Sequence, residues 1–153
     1  MKSQNGWPVS ENPKDIGIKT FSVPGTGIEL RCAEAVAPLL IGLAAEFHKY
    51  IEPIDGGQPD DWGYAHRMIR GDEKTMSNHA SGTAIDLNAK LHPLGKVGTF
   101  DAKKVPMIRA LAKKYGCTWG GDFKTRKDEM HFEIAIDQNK AAALIEKIKG
   151  AHK

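Results

Sequence analysis

Two short stretches of this chain alternate between apolar and polar positions. In residues 83–88, Thr83, Ile85 and Leu87 fall on one side and Ala84, Asp86 and Asn88 on the other. In residues 131–136, Phe132, Ile134 and Ile136 share one side, and His131, Glu133 and Ala135 the other. A period of two belongs to a half-buried strand, so both stretches predict strands with an apolar face on a core and a polar face toward an opening. Residues 33–51 repeat differently. Val36, Leu39, Leu40, Leu43, Ala44 and Phe47 recur at helical spacing and predict the main helix behind the sheet, with Pro38 in its first turns, where a missing N–H costs least. Val105, Ile108, Leu111 and Ala112 predict a second helix over 101–115, which Gly116 ends. Ala142, Leu144, Ile145 and Ile148 predict a closing helix over 139–149.

Between these lie weaker signals. Lys19–Val23 and Ile28–Cys32 flank Pro24-Gly25-Thr26-Gly27 and predict a hairpin. Residues 1–17 read as an irregular arm, pinned by Trp7 and Pro8. Residues 52–61 read as a loop on the rim of a cleft, Trp62–Arg70 as a short strand, 71–76 as a polar loop and 89–99 as an extended loop. A strand over 62–70 sends Arg67 and Arg70 to opposite faces, so at most one faces the polar side. Gly150 to Lys153, with His152, reads as a fraying tail. The expected fold class is α+β: a small antiparallel sheet backed by helices, with the site on its open face. One domain over 1–153 is expected, without a separate binding module.

Composition narrows the classes. With 153 residues, 41% hydrophobic and 27% charged, the chain can bury one core. Its two cysteines, Cys32 and Cys117, are too few for a disulfide framework and are expected as packed thiols. No stretch approaches the roughly 18 apolar residues of a membrane span, and no apolar run follows Lys2, so neither integral membrane contact nor a signal peptide is expected. The +3 net charge suits an anionic polymer. The lysines are dispersed and carry no basic-aromatic motif, so nucleic acid is not expected as a partner. A monomer is expected.

The chemistry concentrates in Ser77–Asn88 and Asp128–Glu133, which supply two histidines and a choice of carboxylates. Imidazole and carboxylate suit Zn2+, and a catalytic zinc keeps three protein ligands and an open position. His79, Asp86 and His131 are the candidate set. If the two strands are neighbours, Asp86 and His131 share a face, and Gly82 permits the tight path that returns His79 over them. Asp128, Glu129 and Glu133 are all near enough to act as a base. His48, His66 and His92 read as a capping or solvated residue, an ordinary polar residue and a loop contact.

His79-Ala80-Ser81-Gly82-Thr83-Ala84-Ile85-Asp86 resembles the His-x-x-Gly-x-Ala-x-Asp motif of the M15 zinc peptidases, the D-alanyl-D-alanine carboxypeptidase class, and Asp128-Glu129-Met130-His131 resembles the acid-x-x-His motif that follows it there. Trp62-Gly63-Tyr64, Arg67, Gly71, Ser77-Asn78 and His92-Pro93-Leu94-Gly95 are most similar to the phage endolysin branch, which cuts between L-alanine and D-glutamate. The resemblance covers about residues 52–136. It implies zinc ligands at His79, Asp86 and His131, a general base at Asp128, and an oxyanion-binding arginine at Arg67, with Arg70 as the alternative. Ser77 and Trp119 are the expected substrate contacts, although Trp119 also fits a core position. Glu133 is expected to hydrogen-bond a ligand histidine. The implied partner is bacterial peptidoglycan, reached from the cytoplasm through a membrane lesion. The rivals are a D-alanyl-D-alanine carboxypeptidase and a catalytically idle zinc module on the same fold.

Overall fold

The computed structural model describes residues 1–57, 59–69 and 74–151. The chain runs β1 (Ile18–Ser22), β2 (Glu29–Ala33), α1 (Ala37–Tyr50), β3 (Ala84–Asp86), α2 (Val105–Lys114), β4 (Cys117–Trp119), β5 (His131–Ile134) and α3 (Gln138–Ala151). The architecture is the expected α+β, with the strands divided between two small antiparallel sheets. β1 and β2 form the predicted hairpin, Ile18 opposite Ala33, and a second sheet has the order β3-β5-β4.

The main helix forms where its stripe predicts. All six stripe residues, Val36 to Phe47, are buried, Pro38 sits in the first turn, and a 3-10 turn over Glu34–Val36 leads in. The valine, leucine and phenylalanine side chains among them each contribute about 1.5–3 kcal/mol by leaving water. Phe47 contacts the edges of Phe132 and Phe100, with centroids 5.9 and 6.1 Å apart. Ile85, Leu87, Phe132 and Ile134 complete the apolar layer beneath the second sheet. α2 starts at Val105 rather than 101, because Pro106 occupies its first turn and Asp101 holds a preceding turn through the Lys103 and Lys104 N–H groups. Gly116 ends it at φ +68°. On α3 the buried residues are Ala141 and Ile145, not Ala142, which is exposed. His48 accepts the Ile54 N–H beyond the end of α1, a capping role.

Two expectations fail. Trp62–Ile69 is not a strand. It is extended, but its hydrogen bonds go to several different partners, so no ladder forms. Trp62 pairs with Asp86, Tyr64 donates to Arg31 O, Ala65 donates to His79 O, and Met68 bridges Met76. Arg70 and residues 71–73, with His152, lie outside the described residues. β4 arises where no strand is predicted. His92 makes the expected loop contacts, hydrogen-bonding Glu52 and Thr99, and is more deeply placed than a loop residue usually is, at 1% exposure and stacked on Phe100 at 3.7 Å. Both cysteines are free and buried. Among the described residues no helix is long and apolar enough to cross a membrane.

The N-terminal arm is irregular but firmly attached. Trp7 is buried and donates its indole N–H to Ile136 O at 3.0 Å.

Candidate metal centre

His79 is set by its loop. Ser77 Oγ accepts the His79 N–H at 3.2 Å, and a 3-10 turn over Asn78–Ser81 carries the ring inward. Gly82 closes the turn at φ +70°, packed so tightly that an added Cβ would lie 2.2 Å from Ile18 Cδ1 and 2.7 Å from Ala33 N. Only glycine meets both demands. The extended segment after Trp62 then supplies Gly63 O, 2.8 Å from His79 Nδ1. A carbonyl only accepts, so Nδ1 carries the proton and Nε2 presents a lone pair. That Nε2 is buried without a hydrogen-bond partner among the described residues, 3.2 Å from Asp86 Oδ2.

Asp86 and His131 meet through strand register. β3 and β5 pair with Asp86 opposite His131, so both side chains leave the same face. Asp86 Oδ1 lies 3.1 Å from His131 Nδ1. Glu133, two residues along the same face, accepts from His131 Nε2 at 2.7 Å. This bond orients the second imidazole, leaving Nδ1 turned toward Asp86 and His79. The donor atoms of His79, Asp86 and His131 all lie within 4.8 Å of one another. The face is less open than its alternation predicts: His79, Asp86 and His131 are 2%, 7% and 6% exposed.

Electrostatics follow from this crowding. Burial opposes the charge on Asp86, but the two imidazoles outweigh it and hold the carboxyl well below the usual carboxylate range. Burial likewise opposes charging His131, yet hydrogen bonds to Asp86 and Glu133 lift it to about 10. One fixed tautomer at His79, a ring nitrogen buried without a hydrogen-bond partner among the described residues, an ionised carboxylate and a His131 that would give up its Nδ1 proton on binding make a donor set that fits a zinc ion.

Asp128 stands beside the cluster. Its Oδ2 is 3.9 Å from His131 Nδ1, and its Oδ1 is buried without a hydrogen-bond partner among the described residues. Burial pushes its pKa up to about 6, with His131 pulling against that shift. The neighbouring acids are otherwise engaged. Glu129 turns away to accept from Gly98 and Thr99, and Glu133 is held by His131.

The group sits in a cleft of about 650 Å³ lined also by Arg67, Ser77, Asp128 and Glu133. Arg67 is half-buried there, and its charge acts on Asp128. Trp119 is not in the cleft. It is 2% exposed, donates to Glu129 O at 2.8 Å and packs near Phe100, so its expected substrate contact is replaced by a core role. The β4 backbone turns its indole inward under the Asp128 segment. Other residues line the cleft without having been anticipated: Gln4 from the arm, Leu94, Phe123, Met130, and Trp62, which is 53% exposed. An aromatic opening an extended segment was the available signal for Trp62; Gln4, in an irregular arm, offers none.

A family model described as D-alanyl-D-alanine carboxypeptidase matches residues 70–134, under half of the chain but including both motifs. Peptidases of that family are zinc-dependent, and the match suggests a metallopeptidase related to peptidoglycan. No curated protein and no solved structure matches the chain.

Proposed function

We propose that this protein is a zinc-dependent peptidoglycan peptidase that hydrolyses the stem-peptide amide between L-alanine and D-glutamate, as phage endolysins do, working as a monomer. One observation carries the reading: Asp128, a carboxylate with one oxygen unpartnered among the described residues, stands beside a His–Asp–His donor set in one cleft. His79, Asp86 and His131 would hold the zinc, which when bound supplies Lewis acidity at an open position.

The chain's own groups supply the rest. Asp128 accepts a proton from the attacking water and delivers it to the leaving amine. A raised pKa suits both halves of that transfer. Arg67 counters the negative charge that develops on the scissile carbonyl oxygen. Gly63 O and Glu133 keep the two imidazoles oriented throughout. Ser77 lines the cleft beside His79 and contributes to substrate binding.

A second reading, a D-alanyl-D-alanine carboxypeptidase, is favoured by the description of the matching family and by Lys124 and Arg126 on the cleft wall, cations that suit a terminal carboxylate. An idle zinc module has no use for Asp128.

Digestion of purified peptidoglycan with zinc-loaded and chelator-treated protein, followed by mass spectrometry, separates these readings. Zinc-dependent stem peptides with a new D-glutamate N-terminus are expected. Released D-alanine alone would select the carboxypeptidase. Asp128→Ala is expected to lose at least about a hundredfold in turnover while retaining zinc; activity near that of the parent would remove Asp128 from the mechanism.

A further inference from the structure

The hydrogen bonds from the first seven residues to the segments that carry the metal centre converge on Asn5. Its backbone N–H donates to Asn78 Oδ1 at 2.9 Å. Its side-chain amide donates to Thr83 Oγ1 at 2.8 Å and to Ile134 O at 2.9 Å, and its carbonyl accepts from Ser3 Oγ at 2.7 Å. Both amide protons and the carbonyl are therefore in use.

The partners lie on separate segments. Asn78 immediately precedes His79, Thr83 is three residues before Asp86, and Ile134 is three after His131. One residue thus ties together the three stretches that carry the donor set, the His79 stretch through its backbone N–H and the other two through its side chain. The surroundings make the tie rigid. Ser3 Oγ is 2.8 Å from Ser81 Oγ, which lies 2.7 Å from Thr83 Oγ1 and donates to Asn78 O at 3.0 Å. The Gln4 N–H donates to Met76 O, just before the His79 loop. Trp7 anchors the arm at its far side.

We propose that the N-terminal arm braces the metal centre, with Asn5 the positioning residue that sets the spacing of the segments carrying His79, Asp86 and His131. The inference rests on the zinc reading above. Asn5 touches neither metal nor substrate; it acts through backbone and hydroxyl groups that hold the ligands. Interactions behind a ligand shell typically change metal affinity by about 10–100-fold when removed.

The test uses the full chain and two probes, zinc and cobalt. Zinc affinity is measured by competition with a chromogenic chelator, and the visible absorption of the cobalt-loaded protein reports ligand geometry, which a loss of global stability alone does not shift. Asn5→Ala is expected to weaken zinc binding by about 10–100-fold and to move the cobalt bands. Ser3→Ala, which removes one hydroxyl from the brace, is expected to weaken it less, and it decides the matter if Asn5→Ala does not fold. Zinc affinities within about twofold of the parent, well short of that range, with an unchanged cobalt spectrum, overturn the brace even if the melting temperature falls. A parent chain that binds zinc alongside such silent variants defeats the brace alone. A parent chain that binds no zinc defeats the metal reading and the brace together.

Discussion

Asp61 accepts the Asn88 N–H on Oδ1 at 2.8 Å, while its Oδ2 is buried without a hydrogen-bond partner among the described residues. Burial lifts its pKa to about 6; the Asn88 bond opposes the shift, and Asp60 and Asp55 add to it. In the unfolded chain an aspartate titrates near 4, at about 3.9. The folded state therefore binds the proton more tightly, and the stability this contributes is full below about 4 and lost as pH rises through about 6. Asp61→Asn should remove that component. Denaturant melts at a series of pH values should show the variant gaining on the parent chain between about pH 4 and 7; a constant difference would contradict the assignment. At this scale the donor set was readable because its chemistry is carried by residue type and motif spacing. Trp119 and His92 were harder, since a buried aromatic and a cleft aromatic look alike in one dimension.

The second sheet depends on a close approach. Gly120, at the start of a 3-10 turn after β4, lies against the Asp128 segment, and an added Cβ would fall 2.1 Å from Asp128 O and 3.0 Å from His131 Cβ. Backbone cannot yield as a flexible side chain does. Gly120→Ala is expected to cost about 1–3 kcal/mol in a denaturant titration and to lower peptide release further by displacing Asp128. Unchanged stability and activity would show that the turn can shift freely. β3, β5 and α1 were legible because each keeps one period and one buried face long enough to register. β4 was not: Cys117–Trp119 spans three residues next to two glycines, too short for alternation. The segment after Trp62 has the composition of a strand, but its hydrogen bonds are shared among β2, β3 and the His79 loop. Nothing local records that sharing.

Across the whole molecule, the centre joins segments far apart in sequence: Asp86 and His131 are 45 positions apart. A metal that binds only the folded arrangement stabilises it by mass action, by about 2.7 kcal/mol at a hundredfold excess over its dissociation constant. Thermal melts are therefore expected to rise with zinc and to fall with a chelator; no shift at saturating zinc would argue against binding by the native donor set. The α+β class followed from adding up the elements, whereas the division into two sheets depends on long-range pairing that no single stretch encodes. The bond from Asn5 to the Ile134 carbonyl spans 129 positions, and Trp7 reaches Ile136 across as many. Such closures come late, because the entropy of a long loop must be overcome before its contacts reward it. The hairpin and α1 are local and can form while the chain is still emerging from the ribosome. The N-terminal arm thus waits for β5 before it settles, and a nascent chain short of that strand has no assembled centre.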